Sequence, residues 1–92
     1  MIRSFRSKPL RLFWEKSDGS RIAAQLHARV SRRLDALDQA ITPSDLNIPG
    51  FDFHPLSGNR AGVYSIHVNG PWCITFGWDG ADVIDVDLEN YH

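Results

Sequence analysis

With a single cysteine in 92 residues, the chain cannot close an internal disulfide or supply the cysteine pairs of a structural zinc site. Its four histidines, at 27, 54, 67 and 92, show no ligand spacing, so neither metal nor cofactor is expected. Long apolar runs are missing as well: no stretch approaches the ~20 residues of a membrane-spanning helix. The opening Met1-Ile2-Arg3-Ser4-Phe5-Arg6 lacks the apolar segment of a secretory leader, so the expectations are a cytoplasmic location and no membrane partner. Repeats, low-complexity tracts and long linkers are absent. Positive charge is scarce in one half only. Residues 1–40 hold nine of the ten Lys+Arg against four acids, and residues 41–92 hold Arg60 alone against seven, so the net charge of -1 hides a basic half fit to approach RNA and an acidic half beside it.

What is present, 42% hydrophobic residues in 10.4 kDa, suffices for one small core and one domain over 1–92. The clearest pattern lies at the end of the chain. Trp72, Ile74, Phe76 and Trp78 alternate with Cys73, Thr75 and Gly77, and Ile84, Val86 and Leu88 alternate with Val83, Asp85 and Asp87, the period of strands with one buried face. Turn chemistry then selects the register. A two-residue Asn69-Gly70 loop would set apolar residues of one strand against polar ones of the next. Three-residue loops at 69–71 and 79–81 instead pair Ile66 with Ile74, Tyr64 with Phe76, Phe76 with Ile84 and Ile74 with Val86. The expected product is an antiparallel meander with one apolar face and one polar face carrying Ser65, His67, Cys73, Thr75, Asp85 and Asp87.

Upstream, Ile2 and Phe5 suggest a short edge strand. Ser7 is a candidate N-cap, with Pro9 in the first turn and Leu10, Phe13 and Trp14 on one helical face. Ile22, Leu26, Val30, Leu34, Leu37 and Ile41 recur every three or four residues and predict a second helix over about 21–41, ended by Thr42-Pro43. Its arginines lie off the apolar stripe. Residues 51–54 alternate as a further strand, giving the order βααββββ: an α+β domain in which two N-terminal helices cover one face of a mostly antiparallel sheet.

Three stretches carry a resemblance: His54-Pro55-Leu56-Ser57-Gly58-Asn59-Arg60-Ala61-Gly62-Val63-Tyr64-Ser65-Ile66, Asn69-Gly70-Pro71-Trp72-Cys73-Ile74-Thr75-Phe76, and Glu89-Asn90-Tyr91-His92. Here, and over nearly the whole chain, the sequence resembles the HigB-like toxins of the RelE superfamily. The resemblance implies a type II toxin that cuts mRNA in the A site of the 70S ribosome, is silenced by a HigA-like helix-turn-helix antitoxin, and meets operator DNA only through that antitoxin. It implies a RelE-like fold and His54, Tyr91 and His92 as catalytic groups. Arg60, with Arg29, Arg32 and Arg33 of the second helix, would serve as RNA- or phosphate-binding cations. The chain departs from the family pattern at four places, with Ser57 for Lys, Cys73 for Arg, Pro71 for Asn and Asn90 for Asp. Two of the lost groups are cations, so weakened cleavage is expected.

Two other readings compete. The expected register sets His67, Cys73 and Asp87 in one row, which invites a cysteine nucleophile, but alternating polar residues on adjacent strands produce such rows without chemistry. A toxin-fold protein with little nuclease activity, acting through its antitoxin as a binding or transcription-regulating partner, is the alternative that Ser57 and Cys73 sustain.

Overall fold

The chain was analysed as a computed structural model, which describes residues 1–90. Tyr91 and His92, two of the expected catalytic residues, lie outside the described residues. Helices α1 (Lys8–Lys16) and α2 (His27–Gln39) precede four strands, β1 (His54–Pro55), β2 (Val63–Asn69), β3 (Trp72–Asp79) and β4 (Asp82–Asn90). The strands form one antiparallel sheet in the order β1-β2-β3-β4, and the helices bury its apolar face. The α+β class is as the sequence predicts.

Local chemistry accounts for the helix ends. The Ser7 hydroxyl accepts from the Leu10 amide at 3.1 Å, satisfying one of the donors that a helix start leaves over. Ser17 closes α1 in the left-handed region at φ 55°. The second helix is shorter than its stripe predicts. Residues Ala24–Leu26 form a 3₁₀ turn before it, because His27 Nε2 faces the Gly19 and Ile22 carbonyls at 2.9 and 2.8 Å and folds the approaching chain back. At the other end Ala40 is already extended, and the Asp45 carboxylate accepts from the Ile41 and Thr42 amides at 2.9 and 3.0 Å. Ile41, expected in the core, is therefore 69% exposed, whereas Leu26, Val30, Leu34 and Leu37 are buried as expected.

The N-terminal segment is not a regular strand. It makes two isolated parallel bridges, Ile2 to Val83 and Phe5 to Val86, beside β4. Arg3 forms ion pairs with Asp79 and Asp82, so the basic start of the chain lies along its acidic end and partly neutralises it. The cations Lys8, Lys16, Arg21, Arg29 and Arg32 of the N-terminal half remain exposed.

Both hairpins keep the apolar stripes together by bulges rather than by three-residue loops. Ile66 pairs with Ile74 and Tyr64 with Phe76, as expected, but Asn69 pairs with Trp72 after an irregularity between 67 and 69. In the second hairpin Asp79 pairs with Asp82 and Gly77 with Ile84, then Thr75 with Asp87. Asp85 and Val86 together stand opposite Phe76, and Asp85 takes φ 54°, a left-handed conformation costing on the order of 1–3 kcal/mol for a non-glycine residue. Ser4 holds it in place: its hydroxyl accepts from the Asp85 amide at 2.9 Å and its carbonyl from the Val86 amide at 3.1 Å. The shorter loop and the bulge together correct the expected faces. Val83 and Val86 are fully buried in the core, and Ile84 turns to the opposite face.

Candidate active site

Residues paired across antiparallel strands share a face, so the register assembles the polar side of the sheet directly. His54 pairs with Ser65, Ser65 with Thr75, and Thr75 with Asp87. The adjacent row is His67, Cys73 and Glu89. Asp87 therefore does not share the row of Cys73, contrary to the register expected from sequence, because the two-residue loop at 80–81 and the bulge at Asp85 each shift the end of β4 by one residue. Ser65, Cys73 and Thr75 form a buried floor, and His54 stands exposed at the sheet edge, two strands or roughly 10 Å from Thr75 at ordinary strand spacing.

Arg60 and Glu89 organise this floor. The 3₁₀ turn Gly58–Arg60 brings the guanidinium over the sheet, where it donates to both Glu89 oxygens at 3.0 and 2.7 Å. The Thr75 hydroxyl donates to the same carboxylate. Arg60 first, and Thr75 after it, hold the Glu89 carboxyl below its ordinary range, with Arg6 adding to the effect. Sequence reasoning passed over Glu89 and Arg6. The alternation Asp85, Asp87, Glu89 could have pointed to Glu89, but only with the bulge known.

A lowered pKa in the folded state is a statement about acid stability. Glu89 contributes stability that is fully present above its unfolded pKa, about 4.3, and lost as pH falls through its lower folded value. Thermal melts at a series of pH values should therefore show a stability loss below about pH 4 that is smaller in Glu89→Gln.

His54 has a defined tautomer. Its Nδ1 lies 2.8 Å from the Asp52 carbonyl, which can only accept, so Nδ1 carries the proton and Nε2 of the neutral ring is the basic nitrogen. His67 Nε2 is instead tied to the Gly70 carbonyl at 3.0 Å and braces the β2–β3 turn. The thiol reading fails on environment. Cys73 is 9% exposed, and burial, with Glu89 and Asp52 nearby, pushes its pKa up against the opposing effect of the Ser65 hydroxyl. A thiol kept protonated is a poor nucleophile.

The helix cations separate into two kinds. Arg33 is 6% exposed; its Nε donates to the His67 carbonyl, Nη1 donates to the Arg29 carbonyl at 3.2 Å, and the guanidinium sits 4.6 Å from the centre of the Phe51 ring. Burial and the neighbouring Arg32 and Arg29 charges lower its pKa. The expected phosphate-binding role does not suit a guanidinium so enclosed; it ties α2 to β2 and to the segment before β1. Arg33→Ala should cost about 2–3 kcal/mol, since it strands a buried carbonyl and removes the packing on Phe51, readable by chemical denaturation. Arg29 and Arg32 are exposed on the helical layer, across the sheet from Arg60, and do not converge on its carboxylate.

A cavity of about 170 Å³ adjoins the floor, lined by Arg6, Arg60, Val63, Thr75, Gly77, Ile84 and Asp85 among others. Among the described residues no group of three or more His, Cys, Asp or Glu could hold a metal ion, and no helix is long and apolar enough to cross a membrane.

Comparison with known proteins decides the family. Residues 3–92 match the family model described as RelE-like toxin of type II toxin-antitoxin system HigB. The chain belongs to the HigB-like toxins. It is 40% identical over 92 residues to Endoribonuclease HigB of Proteus vulgaris, covering 100% of both chains, and 38% identical over 80 residues to Toxin HigB-1 of Vibrio cholerae serotype O1, covering 85% of this chain and 84% of that one. The YoeB/ParE toxin from Agrobacterium tumefaciens shares the fold at a TM-score of 0.63 and 15% identity, over 100% of this chain and 99% of that one. As a HigB-like toxin the protein is one half of a type II pair, with an antitoxin for a partner. Two of the four positions at which the sequence is expected to depart from the family pattern lie around the Arg60–Glu89 pair: Ser57 is exposed just before the 3₁₀ turn carrying Arg60, and Cys73 faces Glu89 across β3 and β4.

Proposed function

We propose that this HigB-like toxin is an endoribonuclease that cuts mRNA in the ribosomal A site and depends on the ribosome to do so. Cleavage by a ribose 2′-hydroxyl attacking the adjacent phosphate needs a base for the hydroxyl, stabilisation of the extra negative charge and an acid for the leaving oxygen. In this reading His54 Nε2 takes the hydroxyl proton, and His92 and Tyr91 serve the leaving oxygen and its phosphate. Arg60 steadies the phosphate, and Arg29 and Arg32 hold RNA backbone from the helical side. The observation that carries the reading is the register of β1, which puts a correctly tautomerised, exposed histidine on the same face as the Thr75–Glu89–Arg60 array. The likeness to a protein named an endoribonuclease supports it.

Electrostatics supply the reason for ribosome dependence. Glu89 offsets the Arg60 charge, and Ser57 and Cys73 add none, so Arg6 is left to supply a cationic field weaker than a phosphate in flight requires. Ribosome and codon can supply orientation instead, an effect worth several kcal/mol. The same offset favours the alternative of a toxin-fold partner with little nuclease activity. Inducible expression without the antitoxin, followed by mapping of mRNA ends, separates them: new ends at in-frame codons support the first, and growth without new ends the second. A HigA-like helix-turn-helix antitoxin, contact with operator DNA through it alone, and a cytoplasmic location complete the proposal.

A further inference from the structure

Building on that endoribonuclease reading, we infer that the cavity between Arg6 and Arg60 is a nucleobase pocket in which Asp85 selects bases bearing an exocyclic amine. Three independent features converge there. Gly77 has no side chain, and a Cβ placed on it would meet Ile84 Cγ1 at 3.4 Å and the Gly62 carbonyl at 3.7 Å, so its absence opens a slot between Val63 and Ile84. The slot, about 170 Å³, holds one base and not a whole nucleoside with its flanking sugars. Two arginines, Arg6 and Arg60, line it, and arginine planes stack on unpaired bases.

The third feature is the bulge. Its left-handed Asp85, pinned by Ser4, follows Ile84 in the strand and is itself an exposed residue of the slot's lining. Bulges beside functional sites commonly re-aim a side chain. An ionised carboxylate only accepts hydrogen bonds, so it matches the N4 amine of cytosine, the N6 amine of adenine or the N2 amine of guanine and opposes the O4 carbonyl of uracil. The pocket shares Thr75 and Arg60 with the candidate catalytic floor, so a base seated in it places its own sugar and phosphate beside that floor.

Binding and cleavage test different halves of the inference. In titrations of the isotope-labelled protein followed by NMR, AMP, CMP and GMP should move the amides of Gly77, Ile84 and Asp85, and UMP should move them at several-fold higher concentration only. Equal response to all four, or response confined to other residues, overturns the pocket. Asp85→Asn, which keeps a side chain tolerant of positive φ, and Asp85→Gly, which relieves that conformation altogether, should each abolish the preference, with a melting temperature measured for each. On programmed ribosomes the Asn variant should lose about tenfold on the preferred codon and little on uracil-containing ones. Wild-type cleavage with an unchanged codon profile in both variants overturns the selectivity and leaves the nuclease reading standing. Selective nucleotide binding without any wild-type cleavage would leave the pocket and overturn the nuclease.

Discussion

Loss of the His54 imidazole is expected to lower A-site cleavage about a hundredfold or more, the range over which a positioned acid or base contributes. His54 is exposed, in a two-residue strand at the sheet edge, and its removal takes nothing from the core, so His54→Ala should melt near the wild type. Deleting His92 should produce a loss of similar size, and the two changes together much less than the product of the separate losses, because groups that act as one unit are strongly non-additive. Cleavage time courses on programmed ribosomes measure all three. Undiminished cutting after loss of both histidines would show that the roles lie elsewhere.

The opposite change is expected from Cys73→Arg. A cation at this position faces Glu89 across the ladder and lies within electrostatic reach of Asp52, so carboxylates are in place to receive it. It would compete with Arg60 for Glu89 and release positive potential toward the phosphate. Removing one donor of such a site costs about 3 kcal/mol, roughly a hundredfold in rate; restoring one where carboxylates partly screen it should give about ten- to a hundredfold. The larger side chain must leave a buried floor, and overpacking costs about 1–3 kcal/mol, so faster cleavage should accompany a lower melting temperature. Ser57→Lys, exposed at the edge of the same site, should raise the rate less and leave stability unchanged. A Cys73→Arg protein that folds and cleaves no faster would remove the charge argument.

The helices and the apolar stripes of the sheet were legible because they follow from periodicity and caps: Ser7, the stripe from Leu26 to Leu37, and the pairing of Ile66 with Ile74. The bulges were not. Nothing in Ile84-Asp85-Val86 marks an aspartate at φ 54°; the two-residue loop at 80–81 exchanges the faces of Val83 and Ile84, and the bulge adds the second shift that moves Glu89 beside Cys73. Those two shifts hid both the Glu89 carboxylate and the cavity. Arg33 misled for a related reason. It stands off the apolar stripe and reads as a solvent-facing cation, yet the chain before β1 folds Phe51 over it, a tertiary contact that helical spacing does not encode. His54 was found through the family pattern, whereas its tautomer, set by the Asp52 carbonyl, needed coordinates.

The most direct test of the account compares one mRNA in two settings: bound in the A site of programmed 70S ribosomes, and naked in the same buffer. Cleavage within the A-site codon and none of the naked strand is the predicted result. Efficient cutting of the naked mRNA would contradict the claim that Arg60, offset by Glu89 and unaided by residues 57 and 73, leaves the protein dependent on the ribosome for the geometry of attack.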